Sequence, residues 1–537
     1  MPENQYVELP ASTNQALGIA RYAIDFLSDE PGKSGTPDAK VLERTRQFHT
    51  DAVVCGLSAL ALQTNAPRLL RDEALQYPVT EAARAVGRAV RKGATVFGSS
   101  VEVQPEKAIV ANSAAVREWD SNGTNFGFNP RLGRTAGEFG HNDFYPVCIA
   151  AAQMGGKSGA EALRAMVCLD EIRGRLAEVF SLKTYKIDHV VHGAIASAAV
   201  FGAMLGATPE QIESAIGMSV AHYIPFRAIR AGKQLSDSKG SSAAISTEAA
   251  ILSVKRAMAG FLGPRDIFRN PEAIFRIFEG PGQMFAPVGK QARNPEPGDA
   301  SPFDLTLARS GDDFAVMGMH FKLGLYEHQS AGALQAMIDL LSRSPALLAD
   351  AEGGKISRIR IVAYEPAFGI IGDPAKRDPR TRQSADHSMV YIVATLLRKA
   401  LELKKVGWTE LMLAPVDYGS EAIMNPRTRS LMQKIEFAHG GAEYDRRYPD
   451  GIPTSVVITD SDGATHDSGL VMYPAGHARN TEAPLKAILD HKFQLLGSLA
   501  SDEAGAIVER LQRLESLTPA DVAGLHGFDI ASREPIE

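Results

Sequence analysis

Carboxylates and imidazoles recur in this chain at breaks in its apolar pattern, where side chains can converge. Arg117-Glu118-Trp119-Asp120 closes one helical stretch. A Gly/Asn-rich loop, SNGTNFGFNPRLGRTAG, follows, and Glu138-Phe139-Gly140-His141-Asn142-Asp143 opens the next helix. Loops held on a rigid scaffold are where function concentrates. A carboxylate at Asp120 paired with an imidazole at His141 would raise the imidazole pKa and orient its ring for proton transfer. A helix cap with a surface histidine is the plainer alternative. His189 and His192 stand three apart behind Asp188, so on a helix they share a face. No HExxH and no third ligand accompany them, so polar groups on a cavity wall fit the pair better than a metal does. No metal is expected.

Arg227, Arg230, Lys233 and Lys239 fall within 13 residues, with Asp237 the only acid among them. A solvated face normally mixes both signs. Arginine forks bind carboxylates bidentately and lysine adds a point charge. Ser236, Ser238 and Ser241 add hydroxyls near a helix start, whose free backbone N–H groups also favour anions. An anion pocket and a charged surface both remain open. Further along, His328 lies in FKLGLYEHQSAGA, Asp386-His387 and Tyr391 in SADHSMVYIVATLL, and His477-Ala478-Arg479 in YPAGHARN. On a continuous helix Tyr391 would face the same side as His387 and could donate a proton or stabilise an oxyanion. A tyrosine at the core edge is the alternative.

These groups need a large scaffold. With 537 residues, the chain exceeds the ~250–300 residues that one core serves, so two domains are expected. Hydrophobic residues make up 45% and charged residues 22%, as in an ordinary soluble globular protein. The net charge of −6 argues against nucleic acid as a partner. It leaves room for a local basic pocket that takes an anionic substrate. The start, MPENQYVELP, has no apolar or Arg-rich leader. Apolar runs break before the ~20 residues a membrane span needs, so a cytoplasmic protein without membrane contact is expected. Cys55, Cys148 and Cys168 are scattered in apolar stretches and form no CxxC. Their spacing suggests no iron–sulfur cluster. No cofactor is expected, and the chemistry must use side chains.

The first ~280 residues read as successive helices, over 14–27, 39–62, 79–96, 158–181, 189–207 and 242–260. Thr208-Pro209-Glu210-Gln211 is a capping box with proline at the first helical position. Residues 279–313, rich in Gly and Pro, read as an extended loop. ISRIRIVAY (356–364) reads as a strand, 386–405 as a helix, and 454–474 as two strands about an Asp-Gly turn. Helices return over 480–495 and 501–516. The layout is mainly α: a discontinuous helical domain (1–315 and 480–537) around an inserted α+β domain (316–479). A separate helical tail is the alternative.

REWDSNGT, GEFGHND, IDHVVHGAIASAAVFGAMLGATPEQI, SDSKGSSAA, SADHSMVYIVATLL and YPAGHARN together resemble the MmgE/PrpD family. They occur in that family's order and span most of positions 40–495. The resemblance implies a helical domain with an α+β lid, a homodimer, and dehydration of a small hydroxy di- or tricarboxylate by side-chain acid–base catalysis. Decarboxylation or epimerisation of a related acid is the alternative outcome, and a non-catalytic carboxylate binder a further one. By motif, the resemblance implies catalytic roles for Asp120, His141, His189, His328 and Tyr391, and a site lysine at Lys239. Arg227 and Arg230 join Lys239 as the expected carboxylate contacts. The chain departs from the family pattern in a longer loop after Asp120, in Asn142 and His192, in the lid stretch before His328, and in the 279–313 segment. These departures bear on the substrate more than on the reaction class.

Overall fold

The computed structural model describes residues 5–80, 93–230, 235–276 and 299–536. Its helices follow the apolar steps and their caps. Asn14 caps Gln15–Leu27 by accepting the Leu17 N–H. Ser158 and Glu161 form a capping box on Gly159–Val179, and Thr208 and Gln211 form the expected one on Pro209–His222. Val190–Met204 is almost wholly buried. Its Gly193 leaves the space that the Phe144 ring fills, since a Cβ there would lie 1.9 Å from that ring.

The packing of these helices fixes where the polar residues meet. Asp237–Met258 lies against Pro105–Glu118, Val190–Met204 and Pro209–His222. This brings the end of one helix, at Asp120, towards the start of another, at Lys239. Ala39–Ala61 packs on Pro105–Glu118 and on Leu485–Ala500, a helix almost 430 residues further along. That contact carries a buried ion pair, Asp51 with Lys492, at 2.6 Å. Lys492 also donates to the backbone carbonyls of Ser121, at 2.7 Å, and Lys322, at 2.8 Å.

The main sheet has four strands in the order Ile435–His439, Ile356–Ala363, Thr454–Asp460, Thr465–Asp467. The first pair is parallel and the other two are antiparallel. The hairpin turns at Asp462-Gly463, where Gly463 has φ +83°, a conformation glycine adopts without steric cost. Ala331–Arg343 packs on this sheet, and Met389–Leu403 packs on that helix.

Three expectations need correction. Of the 279–313 segment, residues 279–298 lie outside the described residues, and the rest is not all loop. Leu305–Ala308 pairs antiparallel with Tyr6–Leu9, and Ser310–Gly311 pairs parallel with Thr36–Pro37. Four residues are too few to show a period, and the partner strand lies about 300 positions away. Residues 138–143 do not open a helix: Gly140–His141 pairs with Thr124–Asn125, and the helix starts at Tyr145. Of the helix expected over 79–96, residues 81–92 lie outside the described residues, and Ala94–Thr95 is a strand paired with Glu102–Val103. Among the described residues no helix is long and apolar enough to cross a membrane.

Candidate active site

The helix Pro105–Glu118 ends where Trp119 turns extended, with ψ 141°. Trp119 is buried and its indole N–H donates to Ser58 Oγ at 2.9 Å. That anchor delivers Asp120 to the centre of a cluster. Asp120 is buried and receives the Lys322 ammonium on Oδ1. Arg117 approaches both of its oxygens, at 3.2 and 3.3 Å, and Lys239 donates to Oδ2 at 3.3 Å. His387 Nε2 stands 3.0 Å from the same Oδ2, and its Nδ1 is 2.6 Å from Asp386 Oδ1. Burial pushes the Asp120 carboxyl up. Arg117, Lys322, Lys239 and His387 outweigh burial and hold the group well below the usual carboxylate range.

Oxygens and nitrogens of Asp120, Asp386 and His387 lie within 4.8 Å of one another, close enough to hold a cation. Arg117, Lys239 and Lys322 already crowd the Asp120 oxygens, and both His387 nitrogens are turned to the two carboxylates. A divalent ion would have to displace these charges, so the set does not fit a metal.

His141 and His189 lie side by side, with ring centroids 5.4 Å apart. His141 Nε2 is 3.5 Å from Arg117 Nη2, and its Nδ1 has no hydrogen-bond partner among the described residues. Among the described residues neither ring nitrogen of His189 has one, although Asp188 Oδ1 is 3.6 Å from Nδ1. Burial lowers both imidazoles well below their ordinary pKa. Arg117 and Lys322 add to the effect at His141, as Arg230 and Arg227 do at His189, where Asp188 opposes it. Both rings are therefore neutral near pH 7, each with one ring nitrogen that carries no proton. The Asp120–His141 pairing expected from the sequence is not what forms. Asp120 takes His387 as its imidazole partner, and the His141 pKa falls where a carboxylate partner would have raised it.

These groups face a cavity of about 90 Å³. Arg117, Asp120, His141, His189, Arg227, Arg230 and Lys239 line it from the helical part. Glu327, Gln329, Lys376 and His387 line it from later in the chain, and Phe126 and Phe139 give it an apolar wall. Arg230 is held by Asp188 through Nε and, at 3.1 Å, through Nη2. Among the described residues Arg227 Nη1 has no hydrogen-bond partner. Lys239 is pushed down to about 8 by burial, against the pull of Asp386 and Asp120. Lys233 lies outside the described residues. A larger cavity, about 360 Å³, lies beyond Phe126, between Arg131, Asp312, His477 and Arg479. It does not contain the converging acid and base groups.

Two expected residues lie elsewhere. The Tyr391 hydroxyl donates to the Asp417 carbonyl, packs by Tyr418 and does not line the cavity. The helix starts only at Met389, so His387 precedes it and the four-residue spacing gives no common face. His328 is buried against Phe126 and stacks on His320 at 5.1 Å; among the described residues neither of its ring nitrogens has a hydrogen-bond partner. His192 turns into the core, with Nε2 3.0 Å from the Phe180 carbonyl. Reading the sequence gave Arg117 no role and missed Lys322, Glu327, Lys376 and the supporting Lys492. The available signal was a lone lysine inside an apolar run, as in HFKLGL.

Residues 33–284 match the MmgE/PrpD N-terminal domain and residues 328–514 the MmgE/PrpD C-terminal domain. The chain belongs to the MmgE/PrpD family. It is 24% identical over 442 residues to the 2-methylcitrate dehydratase of Escherichia coli (strain K12), covering 79% of this chain and 82% of that one. The probable 2-methylcitrate dehydratase of Saccharomyces cerevisiae is 25% identical over 513 residues, covering 91% and 86%. The 2-methylcitrate dehydratase of Cupriavidus necator is 25% identical over 493 residues, covering 88% of each chain.

Proposed function

We propose that the protein is a hydro-lyase that dehydrates a small hydroxy di- or tricarboxylate, with 2-methylcitrate the first candidate, and that it does so without an iron–sulfur cluster. The observation that carries this reading is a pair of neutral, buried imidazoles, His141 and His189, in a cavity otherwise rich in cations. The names of the relatives support the reaction class. Arg227 and Lys239, with Arg230 oriented by Asp188, hold the substrate carboxylates. His141 or His189 takes the proton alpha to a carboxylate. Lys239 and Arg117 stabilise the enolate-like charge that develops. Asp120 acts through others: it gathers Arg117, Lys239, Lys322 and His387 into one array. Residues 316–479 form the lid that excludes water when substrate is bound. A cytoplasmic homodimer belongs to the same reading, and light scattering checks the dimer.

The test is a panel of citrate, 2-methylcitrate, malate-type and tartrate-type acids, scored for alkene absorbance and for CO₂. Alkene without gas is expected. Release of CO₂, or a new epimer without alkene, moves the reaction to decarboxylation or epimerisation. His141→Ala is expected to slow turnover by ~10²–10⁴-fold, the usual contribution of one positioned base. Near-normal turnover in that variant removes His141 from the role.

A further inference from the structure

The hydro-lyase reading leaves one task open, because a departing hydroxide needs a proton. His328 and Tyr391 do not reach the cavity. Both ring nitrogens of His387 face carboxylates. The Lys239 ammonium donates to Asp120 at 3.3 Å and, as proposed above, serves the substrate carboxylate and the developing charge, where its positive charge must be kept. We propose that Glu327 is the catalytic acid that protonates the leaving hydroxyl, an inference that rests on the hydro-lyase reading.

The backbone holds Glu327 in place from both sides. Its own N–H donates to the Asp386 carbonyl at 2.9 Å, and the N–H of Tyr326 donates to the Asp120 carbonyl at 3.0 Å. Residue 327 is thereby fastened to both segments that carry the central carboxylates. Its side chain lines the cavity beside Gln329, Lys376 and His387. Oε2 accepts the Gln329 N–H at 2.8 Å. Among the described residues Oε1 makes no hydrogen bond, so a proton carried there is available to a ligand. Burial pushes this carboxyl up, against the pull of His387 and Lys322, which favours the protonated form the role requires.

The step balances. The C–H proton passes to an imidazole, and the C–H electron pair becomes the second bond of the alkene. The C–O bond breaks with its pair remaining on oxygen, and that oxygen takes the Glu327 proton and leaves as water. The imidazole then releases its proton to solvent and the carboxylate regains one.

Glu327→Gln keeps an acceptor for the Gln329 N–H and loses the acidic proton. The test compares a hydroxy acid substrate with its fluoro analogue, whose fluoride leaves without protonation. We expect the variant to lose at least ~10²-fold with the hydroxy acid and to release fluoride at close to the wild-type rate. Equal slowing on both substrates, or no slowing on either, overturns the assignment. Glu327→Ala, assayed on the same pair with formate added, gives a second measure: formate restores turnover of the hydroxy acid if a carboxylic acid is what is missing, and absence of rescue counts against the proposal. Wild-type protein that eliminates water from no hydroxy acid in the panel refutes the hydro-lyase reading itself, whereas an unslowed Glu327→Gln in an active wild-type background refutes this proposal alone.

Discussion

Lys492→Met is the perturbation whose cost the structure defines best. Lys492 and Asp51 are both fully buried, and their 2.6 Å contact is an ion pair without ideal hydrogen-bond alignment. Removing the ammonium strands the Asp51 carboxylate, a loss of ~3–5 kcal/mol for a broken buried pair. It also strips a donor from the Ser121 and Lys322 carbonyls, each worth ~1–3 kcal/mol when left unsatisfied. These terms overlap, so we expect a total of at least ~3 kcal/mol. Burial already pushes the Asp51 carboxyl up while Lys492 is present. Without Lys492 it rises further, so the folded variant holds a proton that the unfolded chain releases near pH 4. Stability is then greatest below that pH and declines as pH rises through the folded value. Relative to wild type, the variant should be more damaged near pH 8 than near pH 5. Urea unfolding followed by tryptophan fluorescence reads this, since Trp119 is buried beside Asp120. The double variant with Asp51→Asn should recover part of the loss at pH 8. A midpoint equal to wild type, or a deficit with the opposite pH trend, refutes the reasoning.

Arg227→Met removes a guanidinium at the cavity wall whose Nη1 has no hydrogen-bond partner among the described residues; we expect KM to rise at least about tenfold with kcat little changed, read from steady-state kinetics. Tyr391→Phe deletes a hydroxyl that bonds only outside the cavity, so turnover should stay within a few-fold of wild type and stability should fall by ~1 kcal/mol. Burial lowers His526 and His192 to about 4, and His49 to about 3. Each lowered imidazole resists protonation in the folded state, so stability should decline as pH falls below about 6.5, by up to ~1.4 kcal/mol per unit per histidine. His526→Gln should flatten that slope in urea titrations between pH 6.5 and 4.

The helices were legible because apolar steps and caps such as Thr208–Gln211 are local signals. The Asp462-Gly463 turn was legible for the same reason. Leu305–Ala308 was not, since its partner strand is distant and its own pattern is too short. At the site, sequence reading singled out Asp120, His141, His189, Arg227, Arg230 and Lys239 in separate segments, and the structure places all six around one cavity. It misread how they pair. Spacing suggests which residues share a face but not which of several imidazoles a carboxylate selects, and Asp120 selects His387 from 267 positions away. Helix phase also fails at a helix start. His387 and Tyr391 would share a face only if the helix began earlier than Met389. Lys322 went unnoticed because it is a single charge in an apolar run and Lys492 because it follows Asp490 and His491 like an ordinary surface lysine, and only the fold reveals the carboxylates that justify them.

The support that Lys492 gives to the Ser121 and Lys322 carbonyls also sets a timetable. A ribosome delivers Asp120 long before Lys239, Lys322 and Lys492, and the N-terminal helices can begin to fold meanwhile. Until residue 322 emerges, the aspartate lacks its closest ammonium. Until residue 492 emerges, the two loops carrying Asp120 and Lys322 lack the brace they share. A nascent or truncated chain can therefore have its early helices in place while its charge array remains unassembled. Competence in this protein waits for residue 492, and a chain stopped at residue 480 should be inert even where its early helices have formed.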